Sequence, residues 1–465
     1  MAKKKKGGDR MLLRKKVNAT EGPILRLIFT FAIPLVLTTL MQDLFNIADK
    51  AVLGNMAGTI AVAAIGATGS ITTLIINGAV GLGTGTSIVL ARYIGQKNQE
   101  KIRSTIDTAL ISSIIVGAIL AVVGVALAPL FLKLTNCPDD CYEGALLYIR
   151  IYISGAPFTL FYNYSSAILR TLGDTRRPLA YITVAGIVNV VLNVILCLIL
   201  KQKVAAVAIA TVASKIVCSL LAGRRLMNLE DDSRVVVKNM KLDIEALGSI
   251  IRFGIPVSIS NMIFPLANLQ ILTAVNSYGH DAIAGSSAAT SINSIVNAFV
   301  AGFGMATTNF MGQNIGAKNP DRVKKSFWYS AAVNVFVSGS IGVIVYLSGR
   351  LWLRLILGAD SDVAIEYGMI RMSCVTLFMF ANATNRSFNS ALQAFGYPML
   401  TSITNIVFTL GFRILWMQII YPLHPTFQMV MLCFTVSWIL NMLFYGACFA
   451  VIYYRYVKKG ICRKI

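Results

Sequence analysis

The feature that most constrains this chain is the repetition of long apolar runs, such as ISSIIVGAILAVVGVALAPLFL at residues 111–132. Runs of ~20 to 30 apolar residues cross roughly 30 Å of hydrocarbon at 1.5 Å per helical residue. Hydrocarbon offers the backbone no hydrogen-bonding partner, so each run has to satisfy its own amides as a helix. A spanning barrel would instead show ~10-residue alternating strands. With 56% hydrophobic residues, 13% charged and a mean hydropathy of +0.69, the chain carries more apolar surface than a water-soluble core can hide. The expected class is an all-α integral membrane protein.

Reading runs and breaks gives twelve transmembrane helices: 24–49, 60–91, 104–132, 142–169, 178–200, 204–227, 247–277, 282–311, 326–356, 363–393, 398–420 and 427–455. The start, MAKKKKGGDRMLLRKK, has no short apolar core with a small-residue cleavage site after it, so the first run is expected to be a retained helix. Most of the 42 Lys and Arg fall at the N-terminus, in the alternate loops beginning near Arg92, Arg170, Arg224, Gly312 and Arg386, and in the C-terminal tail. That asymmetry places both termini in the cytoplasm of a cell-membrane protein. The +22 net charge is then mainly a topology signal. Dispersal of the basic residues over short loops argues against nucleic-acid binding, while the basic N-terminus suits anionic lipid.

Other chemistry is sparse. His280 and His424 both fall in expected outer loops, which excludes a His-rich metal site in the membrane. Cys137 and Cys141 lie four residues apart, where a disulfide would close a loop of little value, so thiols are expected. No nucleophile with a base and no metal cluster is placed in facing spans, so neither an enzyme nor a cofactor is expected. GAVGLGTGTS lacks the lysine and hydroxyl residue of a phosphate loop and reads as small residues for close helix packing.

The chain repeats itself. RLIFTFAIPLVL from Arg26 returns as SIIRFGIPVSIS from Ser249, and GLGTGTSIVLARYIGQKNQEK from Gly81 returns as GFGMATTNFMGQNIGAKNPDR from Gly302. SAILRTLGDTRRP, ending at Pro178, returns more weakly as NSALQAFGYP, ending at Pro398. Six spans followed by six in the same order make parallel repeats about an axis normal to the membrane, a plan on which transporters rock one bundle against another. The expected organisation is a basic cytoplasmic segment (1–22), a six-helix lobe (23–227), a cytoplasmic linker (228–246), a second six-helix lobe (247–458) and a tail (459–465).

In this order, IP in the first span of each half, FNIADKAVLG, ARYIGQKN with its copy MGQNIGAKN, ILRTLGDTRRP, GIVNVVLN and AVAIATVAS resemble the multidrug and toxic compound extrusion (MATE) transporters over nearly the whole chain. The resemblance implies two six-helix lobes in a V, a central cavity open to each side in turn, and export of small, often cationic organic compounds in exchange for H+ or Na+. A monomer in the bilayer is expected. A flippase for lipid-linked oligosaccharide is the alternative from a related branch; such proteins usually carry further C-terminal spans.

Polar residues in the spans supply the candidate site. At 100° per residue Thr38, Gln42, Asn46 and Asp49 fall on one stripe of the first span, with Phe45 beside it. From the residues alone Asp49 either caps the helix or pairs with Lys50 at the interface, or serves transport. The resemblance makes Asp49 the ion-coupling carboxylate, with Asn189, Asn193 and Thr211 as partners and Na+ or H+ as the occupant. Where this chain has Asn193 the family often has a second aspartate. No Asp or Glu lies between Glu245 and Asp281, between Asp281 and Asp321, or after Glu366, so the C-terminal half offers no membrane carboxylate and coupling is expected in the N-terminal half alone, as in the DNA-damage-inducible branch. Asp43 and Lys215 are expected to form an ion pair, with exposure of Asp43 to cationic cargo as the other reading. Asp107 suits the start of the third helix. Arg371 and Arg413 either bond backbone carbonyls or tune the cavity away from cations. Gln42, Asn46, Tyr162, Met262, Phe264, Asn268, Gln270, Asn297 and Arg413 are the candidate cavity residues, and Pro34 is the expected hinge.

Overall fold

The computed structural model describes residues 17–134, 137, 139–229, 233–358 and 361–459, and among them every regular element is helical. In chain order the α-helices are α1 (Ile24–Gln96), α2 (Gln99–Leu134), α3 (Asp139–Ser154), α4 (Ala156–Thr171), α5 (Arg176–Ile199), α6 (Lys203–Met227) and α7 (Ile244–Asn276). They continue with α8 (His280–Gly316), α9 (Pro320–Leu347), α10 (Gly349–Leu357), α11 (Asp362–Arg371), α12 (Met379–Ala394), α13 (Pro398–Asn405), α14 (Phe412–Leu415) and α15 (Phe427–Lys459). Among the described residues eleven helical stretches are long and apolar enough to cross a membrane, or twelve if the bent pair Cys141–Ser154 and Ala156–Thr171 is one span. The all-α membrane class expected from the sequence is the one observed.

Three boundaries differ from expectation. The span expected at 142–169 bends by 47° between α3 and α4. Gly155 stands at the break and Pro157 in the first turn of α4, where a proline's missing N–H and its ring interrupt a continuing helix. The loop expected between residues 49 and 60 is helical, so α1 contains two candidate spans, Ile24–Asp49 and Ile71–Gln96. No proline occurs between Pro34 and Pro129 to stop it. The span expected at 326–356 ends at Leu347, and the short α10 follows after Ser348.

The sequence repeat is reproduced in backbone geometry. Among the described residues, Lys97 and Lys318, equivalent residues of GQKN and GAKN, are the non-glycine residues with positive φ (56° and 53°), a region that bulky side chains enter at a cost. Each is followed by an asparagine that caps the next helix: Asn98 Oδ1 accepts from the Lys101 N–H (3.1 Å) and Asn319 Oδ1 from the Arg322 N–H (3.0 Å). Gly173 and Gly396, at the equivalent turns before Pro178 and Pro398, have φ of 88° and 90°.

The chain forms two compact units, residues 1–18 with 37–258 and residues 19–36 with 259–465. Each half thus lends the start of its first span to the other unit, and the change falls two residues after Pro34 and two after Pro256, the equivalent prolines of the IP repeat. In the first unit a Cβ on Gly81 would lie 2.3 Å from Ser258 Cα, and one on Gly85 2.4 Å from Gly254 Cα. The glycine-rich segment is a close-packing seam, as its small residues suggested. In the second unit the equivalent Gly302 faces Val36, with 2.7 Å between its added Cβ and Val36 Cγ2. There Phe29 and Phe31 stack edge-on against Phe303 (5.7 Å) and Phe310 (5.6 Å).

The end of the linker is pinned within the first unit. Asp243 Oδ1 accepts from the N–H groups of Glu245 (2.9 Å) and Ala246 (3.2 Å), Oδ2 accepts from the Ser104 hydroxyl (2.5 Å), and Lys101 Nζ donates to Glu245 (2.6 Å). The Ser104 hydrogen bond, and next that of Ala246, hold the Asp243 carboxyl below the usual carboxylate range. A depressed native pKa contributes stability that is present above the unfolded value of about 3.9 and is lost as pH falls through the native value. D243A is expected to lower stability by about 1 kcal/mol, the usual cost of losing a cap. Thermal unfolding of the purified protein checks this: the difference from wild type should shrink as pH falls below about 4, and a difference independent of pH would contradict the capping account.

The Sγ atoms of Cys137 and Cys141 lie 3.8 Å apart, against ~2.05 Å for a disulfide. Asp107, expected at the start of its helix, is instead buried in the third turn of α2, where Glu100 is the acidic residue of the first turn; its Oδ2 lies 3.9 Å from Arg103 Nε one turn earlier.

Candidate functional site

The buried face of α5 carries Pro178, Ile182, Ala185, Gly186, Asn189, Asn193 and Cys197, a stripe at helical spacing. Its middle has no side chain at Gly186, and there the Phe45 ring of α1 lies so close that an added Cβ would stand 1.9 Å from Phe45 Cε2. One turn further along α1 the chain presents Asp49, and two turns further along α5 it presents Asn193. Numbering rises in both helices from the first contact to the second, so the two run in the same direction here.

Asn193 Nδ2 donates to Asp49 Oδ1 (2.6 Å) and to Asn189 Oδ1 (3.3 Å). The short first bond is that of an amide to a charged acceptor. Asn193 is fully buried, Asn189 nearly so and Asp49 half-buried. Asn193 Oδ1 is buried with no hydrogen-bond partner among the described residues. An orphaned carbonyl oxygen beside a carboxylate and a second amide oxygen is a set of hard donors, which suits a cation. Among the described residues no group of three or more His, Cys, Asp or Glu gathers as for a resident metal.

Of the four residues expected at this site, three are joined by hydrogen bonds. The fourth, Thr211, is half-buried on α6 and donates to Val207 O (2.9 Å). Lys215, one turn beyond Thr211, is within electrostatic reach of Asp49, and so is Tyr148, whose ring stacks on Tyr152 at 5.9 Å. Tyr148 was missed in the sequence, although tyrosines four apart in LLYIRIYIS mark one face of a helix. Asp43 is half-buried, and Lys50 has no described side chain.

The residues expected to line a cavity separate into different environments. Tyr162 is core of the first unit, packed with Ile182, Ala185 and Cys218, its hydroxyl donating to Pro178 O (3.3 Å). Gln42, Met262 and Phe264 are half-buried, whereas Asn46, Asn268, Gln270 and Asn297 are exposed. Arg413 is fully buried; its Nη1 donates to Asn268 Oδ1 (2.8 Å) and its Nε and Nη2 to Ser437 Oγ (3.3 and 3.2 Å). Arg371 Nη1 donates to Ser286 Oγ (2.9 Å). Both arginines are thus held by side chains, where backbone carbonyls had been one expectation.

The MatE sequence family matches residues 34–195 and again 256–417, more than half of the chain and in the two repeated halves. The chain belongs to the MatE family. Among relatives of this MatE protein, the probable multidrug resistance protein YoeA of Bacillus subtilis (strain 168) is 26% identical over 384 residues, 81% of this chain and 82% of the relative. The probable multidrug resistance protein YpnP of the same organism is 25% identical over 445 residues, covering 95% and 97%. A solved structure described as MATE in complex with MaL6 superposes with a TM-score of 0.87 at 21% identity, covering 94% of this chain and 99% of that one. Family and fold together make this MatE protein a secondary transporter of small molecules across a membrane.

Proposed function

We propose that this MatE protein exports organic compounds in exchange for H+ or Na+ by alternating access, with twelve spans in two six-helix lobes, and that Asp49 is its coupling carboxylate. The observation that carries the reading is the hydrogen-bonded group of Asp49, Asn193 and Asn189, with an unpartnered buried oxygen on Asn193. An ionisable residue in a membrane span is costly and is retained for function. Ion occupancy neutralises Asp49, loosens its bond to Asn193, and shifts the balance between cargo-bound and cargo-free states by differential affinity. Thr211 supplies a further oxygen once its hydroxyl turns from Val207 O.

Pro34 is the hinge through which this local change moves α1. The division into units falls just beyond it, so residues on its two sides pack in different bodies. Coupling lies in the N-terminal half alone, the pattern of the DNA-damage-inducible branch, because no Asp or Glu lies between Glu245 and Asp281, between Asp281 and Asp321, or after Glu366. Names of relatives such as YoeA and YpnP agree with multidrug cargo. The test is ethidium efflux from everted vesicles with Na+ and pH gradients imposed separately. One of the two gradients should drive efflux; failure of both across a broad panel of compounds would sink the proposal.

A further inference from the structure

Phe434 on α15 is bracketed by two guanidinium groups, Arg413 at 4.5 Å and Arg371 at 5.2 Å from the ring centroid. Arg413 also stands 5.4 Å from the centroid of Phe264, and the two arginines lie within electrostatic reach of each other. Neither has a carboxylate partner among the described residues. Glu366, the last acidic residue of the chain, is exposed.

Cation–π contacts and neutral hydrogen bonds offset only part of the cost of holding two like charges together in an apolar bundle. Arg371 Nε is buried with no hydrogen-bond partner. The backbone is irregular at both positions: a π-helical turn, Met372–Thr376, begins directly after Arg371, and π-helical turns Ile406–Gly411 and Trp416–Ile420 flank the single α-helical turn that holds Arg413. Such insertions recur at functional sites, where they re-aim side chains. All of these residues belong to one unit.

We propose that Arg371 and Arg413 form an anion-recognition site for cargo that carries a carboxylate or phosphate on an aromatic body. The anionic oxygens take the free Nε of Arg371 and the Nη1 of Arg413. To reach the latter they displace the amide oxygen of Asn268, the exposed end of the network. Guanidinium forks match such groups in a bidentate manner. The half-buried Phe264, already against Arg413, receives the aromatic part. The proposal rests on the transport reading only in treating the ligand as cargo, and it adds anionic aromatic compounds to the cations that the family resemblance implied.

The experiment uses two xanthene dyes of similar shape and opposite charge, fluorescein and rhodamine 123, with the full chain in zwitterionic nanodiscs and no ion gradient. Fluorescence anisotropy should show fluorescein binding more tightly than rhodamine 123. R371Q should weaken fluorescein binding roughly tenfold or more, the loss of a charge-assisted hydrogen bond, with R371K recovering part of it. R413Q should do the same if it elutes as a single species; R371Q, at a half-buried position, carries the test if it does not. Adding anionic phosphatidylglycerol should leave fluorescein binding intact. Wild-type affinity in R371Q, a preference for rhodamine 123, or displacement by the anionic lipid would each overturn the proposal. Because binding is read without a gradient, failure of ion-driven efflux leaves this result standing and separable.

Discussion

D49N is expected to abolish ion-driven efflux while the protein stays folded in the membrane. The amide has nearly the shape of the carboxylate and still offers Asn193 Nδ2 an acceptor, so the contact at 2.6 Å survives as a neutral hydrogen bond. A hydrogen bond to a charged group contributes about 1.5–3 kcal/mol and a neutral one about 0.5–1.5 kcal/mol. The loss is offset by removal of a half-buried charge, whose desolvation opposes folding. Stability should therefore change little. Function should change entirely, because the amide neither takes up a proton nor supplies the charge that attracts Na+. Ethidium efflux should fall to that of vesicles lacking the protein, with unchanged protein in the membrane by immunoblot. Undiminished gradient-driven efflux would remove Asp49 from the mechanism.

The second large effect is expected at a residue with no side chain. G186A places a methyl group 1.9 Å from Phe45 Cε2, an overlap that a rotamer change on α5 cannot relieve because the added atom is fixed to the backbone. Phe45 has to leave its seat, and α1 shifts with it. Overpacking of this kind costs about 1–3 kcal/mol. The consequence for transport is larger than that figure suggests, since Asp49 lies one turn from Phe45 and its bond to Asn193 depends on the same seating. Efflux should be lost and the unfolding temperature lowered. Shortening the ring in the double variant F45L/G186A should restore part of both, giving a coupling energy between two contacting positions. Purely additive effects would show that the contact does not seat α1.

Much of this architecture was legible in the sequence because hydrocarbon leaves few choices. Apolar runs of sufficient length had to be helices, and the repeat of GQKN as GAKN, read as two equivalent halves, reappears as equivalent left-handed turns at Lys97 and Lys318. Asn189 and Asn193, four apart on one helix, were bound to share a face. The break at Gly155 was written as a glycine followed by Pro157 and was overlooked because the surrounding residues are apolar. Residues 50–59 were expected to form a loop, yet glycines at 54 and 58 without a proline only weaken a helix.

Other features had no local signature. The reciprocal exchange of residues 19–36 and 244–258 between units depends on which surfaces meet. The Phe434 bracket needs residues from α11, α14 and α15, and the π-helical turns beside it are set by tertiary packing. Thr211 was paired with Asp49 by the family resemblance, which does not fix where a hydroxyl points; it donates to Val207 O.

The most direct test of the central claim is the reverse flux. Purified protein in proteoliposomes, given an ethidium gradient and no ion gradient, should drive H+ or Na+ in the opposite direction, read by a pH-sensitive dye or by 22Na+, and D49N should drive neither. Ion movement in D49N equal to that of wild type, or ethidium movement in wild type with neither ion responding, would contradict coupling through Asp49.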